Sequence, residues 1–160
     1  MALKSCELKI LSKQYEELPE IIKKYEKIAN KYLKQPILKS NAKDLFFMSC
    51  LCFMANDDMI GAKKVMQSYC YEDPSFDGSR EQQLVINMIE CIGEKNRDEF
   101  QISTSEYNRM TPFSKVKTSL LAKIIDIHLP PDIIKAVDSD EELPDLTGDP
   151  TDPQKQKDPS

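Results

Sequence analysis

Apolar residues along this chain recur at helical spacing. Leu18, Ile21, Ile22, Tyr25, Ile28, Ala29 and Tyr32 follow i, i+3, i+4, i+7, with Lys23, Lys24, Lys27 and Lys31 between them. This is the one-sided stripe of an amphipathic helix. Pro36 then stands where a proline opens the next helix at little cost, because first-turn N–H groups lack helical partners anyway. Leu38, Ala42, Leu45, Ser49 and Cys52 form a second stripe, broadened by Phe46 and Phe53. Asn56-Asp57-Asp58 reads as a break and a cap, and a further helix runs through Ile60, Lys63, Lys64, Met66 and Tyr69. The cluster DPSFDGS at 73–79 is a turn. Ser79 is an N-cap for the helix carrying Leu84, Val85, Met88, Ile89 and Ile92. Two more helices are expected over 96–107 and 111–128.

Helix after helix with short links predicts an all-α fold. EIIKKYEKI at 20–28 and GAKKVMQSY at 61–69 are loosely alike and lie 41 residues apart, a period that suits stacked helical pairs. The first helix has apolar residues on two sides, with Leu3, Cys6 and Ile10 on one and Leu8, Leu11 and Tyr15 on the other. Such a helix is expected to sit between neighbours, so a preceding portion of chain is expected to cover it. One wet helix face costs several kcal/mol at ~25 cal/mol per Å2.

The 160 residues, 40% apolar and 31% charged, suffice for one domain with a real core. Charge is distributed unevenly: residues 1–43 carry +5, residues 44–137 carry −4, and residues 138–160 carry −6. That gradient fits two electrostatically different partners, or simply solvated helix faces and a solubilising tail. Residues 1–137 are assigned to the helical domain. The acidic, proline-rich segment 138–160 is expected to be disordered. An odd number of cysteines, five, and no apolar leader after Met1 point to the reducing cytosol. No window approaches a membrane span.

Cys50-Leu51-Cys52 is the first chemical suspect. On a helix, i and i+2 point roughly 200° apart, so the two thiols do not converge on one metal, and buried cysteine is the reading adopted. His128 is the only histidine and closes a helix, where the dipole favours it. Gly61, Gly78, Gly93 and Gly148 are isolated, so no phosphate loop is present. No cofactor or metal is expected, and enzymatic activity finds little support. The basic excess is small and lacks stacking aromatics, which argues against nucleic acid. Lys39 and Lys43 share a helix face, and Arg80 opens a helix at the end where the dipole disfavours it.

The run YEKIANKYLKQPILKSNAKDLFFMSCLC resembles the corresponding part of the soluble NSF attachment protein (alpha-SNAP-like) family. The resemblance continues through GAKKVMQSY, FDGSRE, MIECIGEKNRDEF and SEYNRM, covering most of residues 1–128. It implies a TPR-like, right-handed α-solenoid of antiparallel helix hairpins, matching the C-terminal half of the family. It also implies a non-enzymatic adaptor that clasps the SNARE four-helix bundle and recruits the AAA+ ATPase NSF. The bundle-facing cations correspond to Lys43 and Arg80, with Lys39 beside them. The NSF-facing acids correspond to Asp58, Glu90 and Glu94, while a further family acid falls at Gly93. A leucine near an acidic C-terminus, which stimulates ATP hydrolysis in the family, corresponds to Leu143 or Leu146. The protein is then expected in the cytoplasm, meeting membranes peripherally through SNAREs. A helical-repeat scaffold of another complex is the alternative.

Overall fold

The computed structural model describes residues 2–131. Its order is α1 (Ala2–Leu11), a single 3-10 turn (Tyr15–Glu17), α2 (Leu18–Leu33), α3 (Lys39–Ala55), α4 (Met59–Glu72), α5 (Arg80–Gly93), α6 (Arg97–Met110) and α7 (Lys115–His128). The fold is all-helical, with antiparallel neighbours and no strand among the described residues. No helix there is long and apolar enough to cross a membrane.

The hairpins are set by a repeated turn. After α1, α3 and α5 a non-glycine residue takes a left-handed conformation: Lys13, Asp57 and Lys95, at φ 60°, 59° and 57°. The next residue's N–H donates back to a carbonyl five positions earlier: Gln14 to Lys9, Asp58 to Phe53 and Asn96 to Cys91, at 2.9, 2.9 and 2.8 Å. This closure satisfies carbonyls left over at a helix end. In the last two cases the closing residue also caps the following helix, Asp58 accepting from Gly61 N–H and Asn96 from Glu99 N–H. Three residues therefore end one helix and start its antiparallel partner.

Helix α3 is the centre. The expected stripe does not describe it, because Leu45 to Cys52, Met54 and Ala55 are all buried, whichever way they point. Four helices, α2, α4, α5 and α7, pack around it. Phe46 stacks on Tyr69 of α4 at 4.4 Å, and Phe76, fully buried, plugs the same region from the 73–79 turn. Inside, the Tyr69 hydroxyl donates to Glu26 of α2 and accepts from Ser49 at 2.7 Å. One hydrogen-bonded chain thus links α2, α3 and α4. At the far end, His128 Nε2–H donates to the Met54 carbonyl at 2.9 Å, pinning the end of α7 to that of α3. The histidine therefore serves a second helix end as well as its own.

Cys50 and Cys52 are fully buried, and burial pushes both thiols well above their ordinary range. Helix α3 also starts later than expected. Pro36 occupies the second position of a turn closed by Leu38 N–H to the Gln35 carbonyl at 3.0 Å, and the helix opens at Lys39. Similarly α7 opens at Lys115, capped by Ser114, because Pro112 keeps Thr111 extended. In α1, Cys6 and Ile10 are buried by packing with α2 and α7, whereas Leu8 and Leu11 are 55% and 41% exposed. Of its two apolar sides, one is covered.

The Tyr25 hydroxyl is buried and finds no hydrogen-bond partner among the described residues. Tyr25→Phe removes that penalty while keeping the ring. Urea unfolding should show stability unchanged or raised by about 1 kcal/mol; a loss of 2 kcal/mol or more would mean the hydroxyl is satisfied.

Candidate functional site

Helices α3, α5 and α7 run parallel, and their N-termini form one end of the bundle. Two contacts establish this. Lys43 Nζ lies 3.6 Å from Glu81 Oε1, joining the starts of α3 and α5. Lys117 pairs with Asp44, joining the starts of α7 and α3. Lys39, the first residue of α3, is exposed one turn before Lys43. Ile37, 90% exposed, stands in the preceding turn.

Arg80 opens α5. Its guanidinium lies 5.2 Å above the Tyr107 ring and donates to the Thr111 hydroxyl. The ring is held in turn by Phe113, stacked at 5.2 Å, and by Phe47 at 5.8 Å. Its hydroxyl donates to Glu81 Oε2 at 2.6 Å. Lys43 and Arg80 are therefore brought together through Glu81 and Tyr107, two residues the sequence did not single out.

A sequence signal for Glu81 existed. Ser79 caps α5 by accepting from Gln82 N–H, and the Gln82 side chain accepts from Gly78 N–H at 2.7 Å. Those two already form a variant of the capping box. The intervening carboxylate is thus left for another use. Burial alone would raise the Glu81 carboxyl's pKa, but the Tyr107 hydroxyl, backbone N–H, Lys43 and Arg80 together hold it below the ordinary glutamate value. Burial and the bond to Glu81 push Tyr107 up.

The acidic residues occupy the other end. Asp58 lies in the α3–α4 turn, exposed, with its carboxylate accepting from Gly61 N–H at 2.8 Å. A Cβ at position 61 would stand 2.3 Å from that carboxylate, which accounts for glycine there. Glu90 and Glu94 are exposed one turn apart at the end of α5. From Arg80 to Glu94 is about 21 Å along the helix.

Set against the helix dipole, the C-terminal end of α5 is charged the wrong way round, with Glu90 and Glu94 and no cation in its last turn, while at its start Glu81 offsets Arg80. Helix α3 begins with a cation and no acid. Each such placement costs roughly 0.3–1 kcal/mol. By contrast α6, though Arg97 opens it, carries two acids, Asp98 and Glu99, in its first turn and ends with Arg109, the favourable balance.

Residues 1–126 match the family described as "Soluble NSF attachment protein, SNAP". The chain belongs to the SNAP family. It is 33% identical over 121 residues to an alpha-soluble NSF attachment protein of Dictyostelium discoideum, covering 74% of this chain and 42% of that one. The human alpha-soluble NSF attachment protein gives 33% over 124 residues, 74% of this chain and 41% of that one. A probable vesicular-fusion protein sec17 homolog of Neurospora crassa gives 32% over 103 residues, 64% and 35%. This SNAP-family chain thus spans about two fifths of the length of the first two relatives. Leu143, Leu146 and the expected boundary at 137/138 lie outside the described residues.

Because the Glu81 carboxyl titrates below its unfolded value, its contribution is present above the unfolded pKa and lost as pH falls through the folded one. Glu81→Gln should leave a shallower loss of stability between about pH 5 and pH 3 than the unmodified chain shows. Urea midpoints across that range test this, and parallel acid limbs would contradict it.

Proposed function

We propose that this SNAP-family chain is a non-enzymatic adaptor for SNARE disassembly in vesicle fusion and intracellular transport. The reading assigns the cationic end, Lys39, Lys43 and Arg80, to the SNARE four-helix bundle. It assigns the opposite end, Asp58, Glu90 and Glu94, to NSF. Leu143 or Leu146 is assigned to stimulation of ATP hydrolysis. The adaptor works in the cytoplasm and meets membranes peripherally through SNAREs.

The observation carrying this reading is the separation of exposed charge along the bundle, with Lys39 and Arg80 at one end and Asp58, Glu90 and Glu94 at the other. The Glu90–Glu94 pair opposes the helix dipole at the close of α5, and Arg80 stays exposed at its start although Glu81 stands beside it. Family membership supports a reading with two partners, SNARE complex and NSF, one for each end. A single exposed ion pair contributes only ~0.2–1 kcal/mol, so one adaptor grips weakly. Several adaptors around one bundle, joined through a multivalent ATPase, gain by effective concentration.

Pull-down by immobilised SNARE complex should weaken with added salt, and Lys43→Glu or Arg80→Glu should reduce it roughly fivefold each. Undiminished binding by both variants would remove the assigned surface. Lys39→Glu should reduce binding while leaving α3 as stable or about 0.3–1 kcal/mol more so, since an acid suits that position.

At the other end, Glu90→Lys with Glu94→Lys should lower NSF co-sedimentation. Asp58→Asn keeps the cap of α4 and removes only charge. It should lower NSF recruitment without changing the unfolding midpoint by more than about 0.5 kcal/mol. NSF recruitment unaffected by all three changes would place the NSF contact elsewhere.

A further inference from the structure

The outward side of α2 carries a feature that neither charged end uses. Lys23, Lys27, Lys31 and Lys34 are spaced at i, i+4, i+8 and i+11, so they share one side of the helix. That side lies opposite Leu18, Ile21, Ile22, Tyr25 and Ala29, the buried side. All four lysines are exposed. They form a straight ridge about 16 Å long. Among the described residues, only Lys23 has an ion-pair partner, Glu20 at 3.6 Å, with both side chains mostly in water. The helix's other acid, Glu26, is turned inward to Tyr69. Lys27, Lys31 and Lys34 therefore present uncompensated charge.

We propose that this ridge is a docking surface for an anionic phospholipid bilayer. The residue types select this partner over an acidic protein. Apart from Pro19, Glu20 and Asn30, every exposed residue of α2 is a lysine. Protein interfaces are anchored by buried aromatic or arginine side chains, and carboxylate recognition favours arginine's fork. The ridge has neither. The exposed Ile37 lies beyond it, on the cationic rim. Lysine is a flexible point charge, and its attraction to an anionic lipid surface needs no pocket. A straight row on an outward helix side meets a flat surface along its whole length. Three uncompensated charges, with Lys23 beside them, give reversible, salt-sensitive attachment.

Direct lipid contact goes beyond the adaptor reading, in which membranes are met only through SNAREs, and does not depend on it. The test is co-sedimentation of the full chain with two vesicle types, phosphatidylcholine alone and phosphatidylcholine with phosphatidylserine, and no SNARE or NSF present. The unmodified chain should pellet with the anionic vesicles only and be released by high salt. Combined Lys27→Glu, Lys31→Glu and Lys34→Glu should reduce that binding roughly tenfold or more. Lys63→Glu with Lys64→Glu, exposed on α4, should change it less than twofold. The ridge variants are exposed surface changes, and an unaltered unfolding midpoint confirms that they fold. Equal pelleting with both vesicle types, or full anionic-vesicle binding by the triple variant, would overturn the proposal. Loss of SNARE pull-down by the triple variant, with lipid binding intact, would make the ridge a protein contact and overturn it equally.

Discussion

Ala42 to Ala55 pack against α2, α4, α5 and α7 at once, and that enclosure fixes the directions of those four helices, on which α1 and α6 pack in turn. A helix wet on one side leaves its neighbours free to rock. Here the neighbours are held through Phe46 on Tyr69, Ser49 to Tyr69 to Glu26, and His128 to the Met54 carbonyl. Large, fully buried side chains make such a core intolerant of displacement. The charged groups at the two ends consequently keep their separation without any charged group holding another across the protein.

Within that frame the cationic end is organised rather than merely crowded. Lys43 and Arg80 repel each other, and Glu81 between them offsets the repulsion. The Tyr107 ring gives the guanidinium a surface that itself is clamped by Phe47 and Phe113. Preorganised donors lose less side-chain freedom on meeting an acidic partner than free ones do. Among the described residues nothing comparable fixes Glu90 and Glu94, which are exposed.

Much of this was legible in the sequence, and the failures have physical causes. The α2 stripe, the Asp58 and Ser79 caps and the buried cysteines follow from local rules that tertiary packing reinforced. The enclosure of α3 was not legible, because a helix apolar on all sides carries no periodic signal. The return of α7 to α1 and α3 is a contact between distant segments that no local pattern reports. Pro36 misled: it sits in a turn ahead of its helix, not at its first residue. Lys43 and Arg80 were found through spacing and family resemblance. Glu81 and Tyr107, 26 residues apart, are joined only by the fold.

Native-state hydrogen exchange tests the central role of α3 most directly. If its enclosure orders the bundle, amides from Leu45 to Met54 should be the slowest in the chain and exchange only with global unfolding. Exchange of those amides through a lower-energy opening, while α2 or α4 stays protected, would contradict the account.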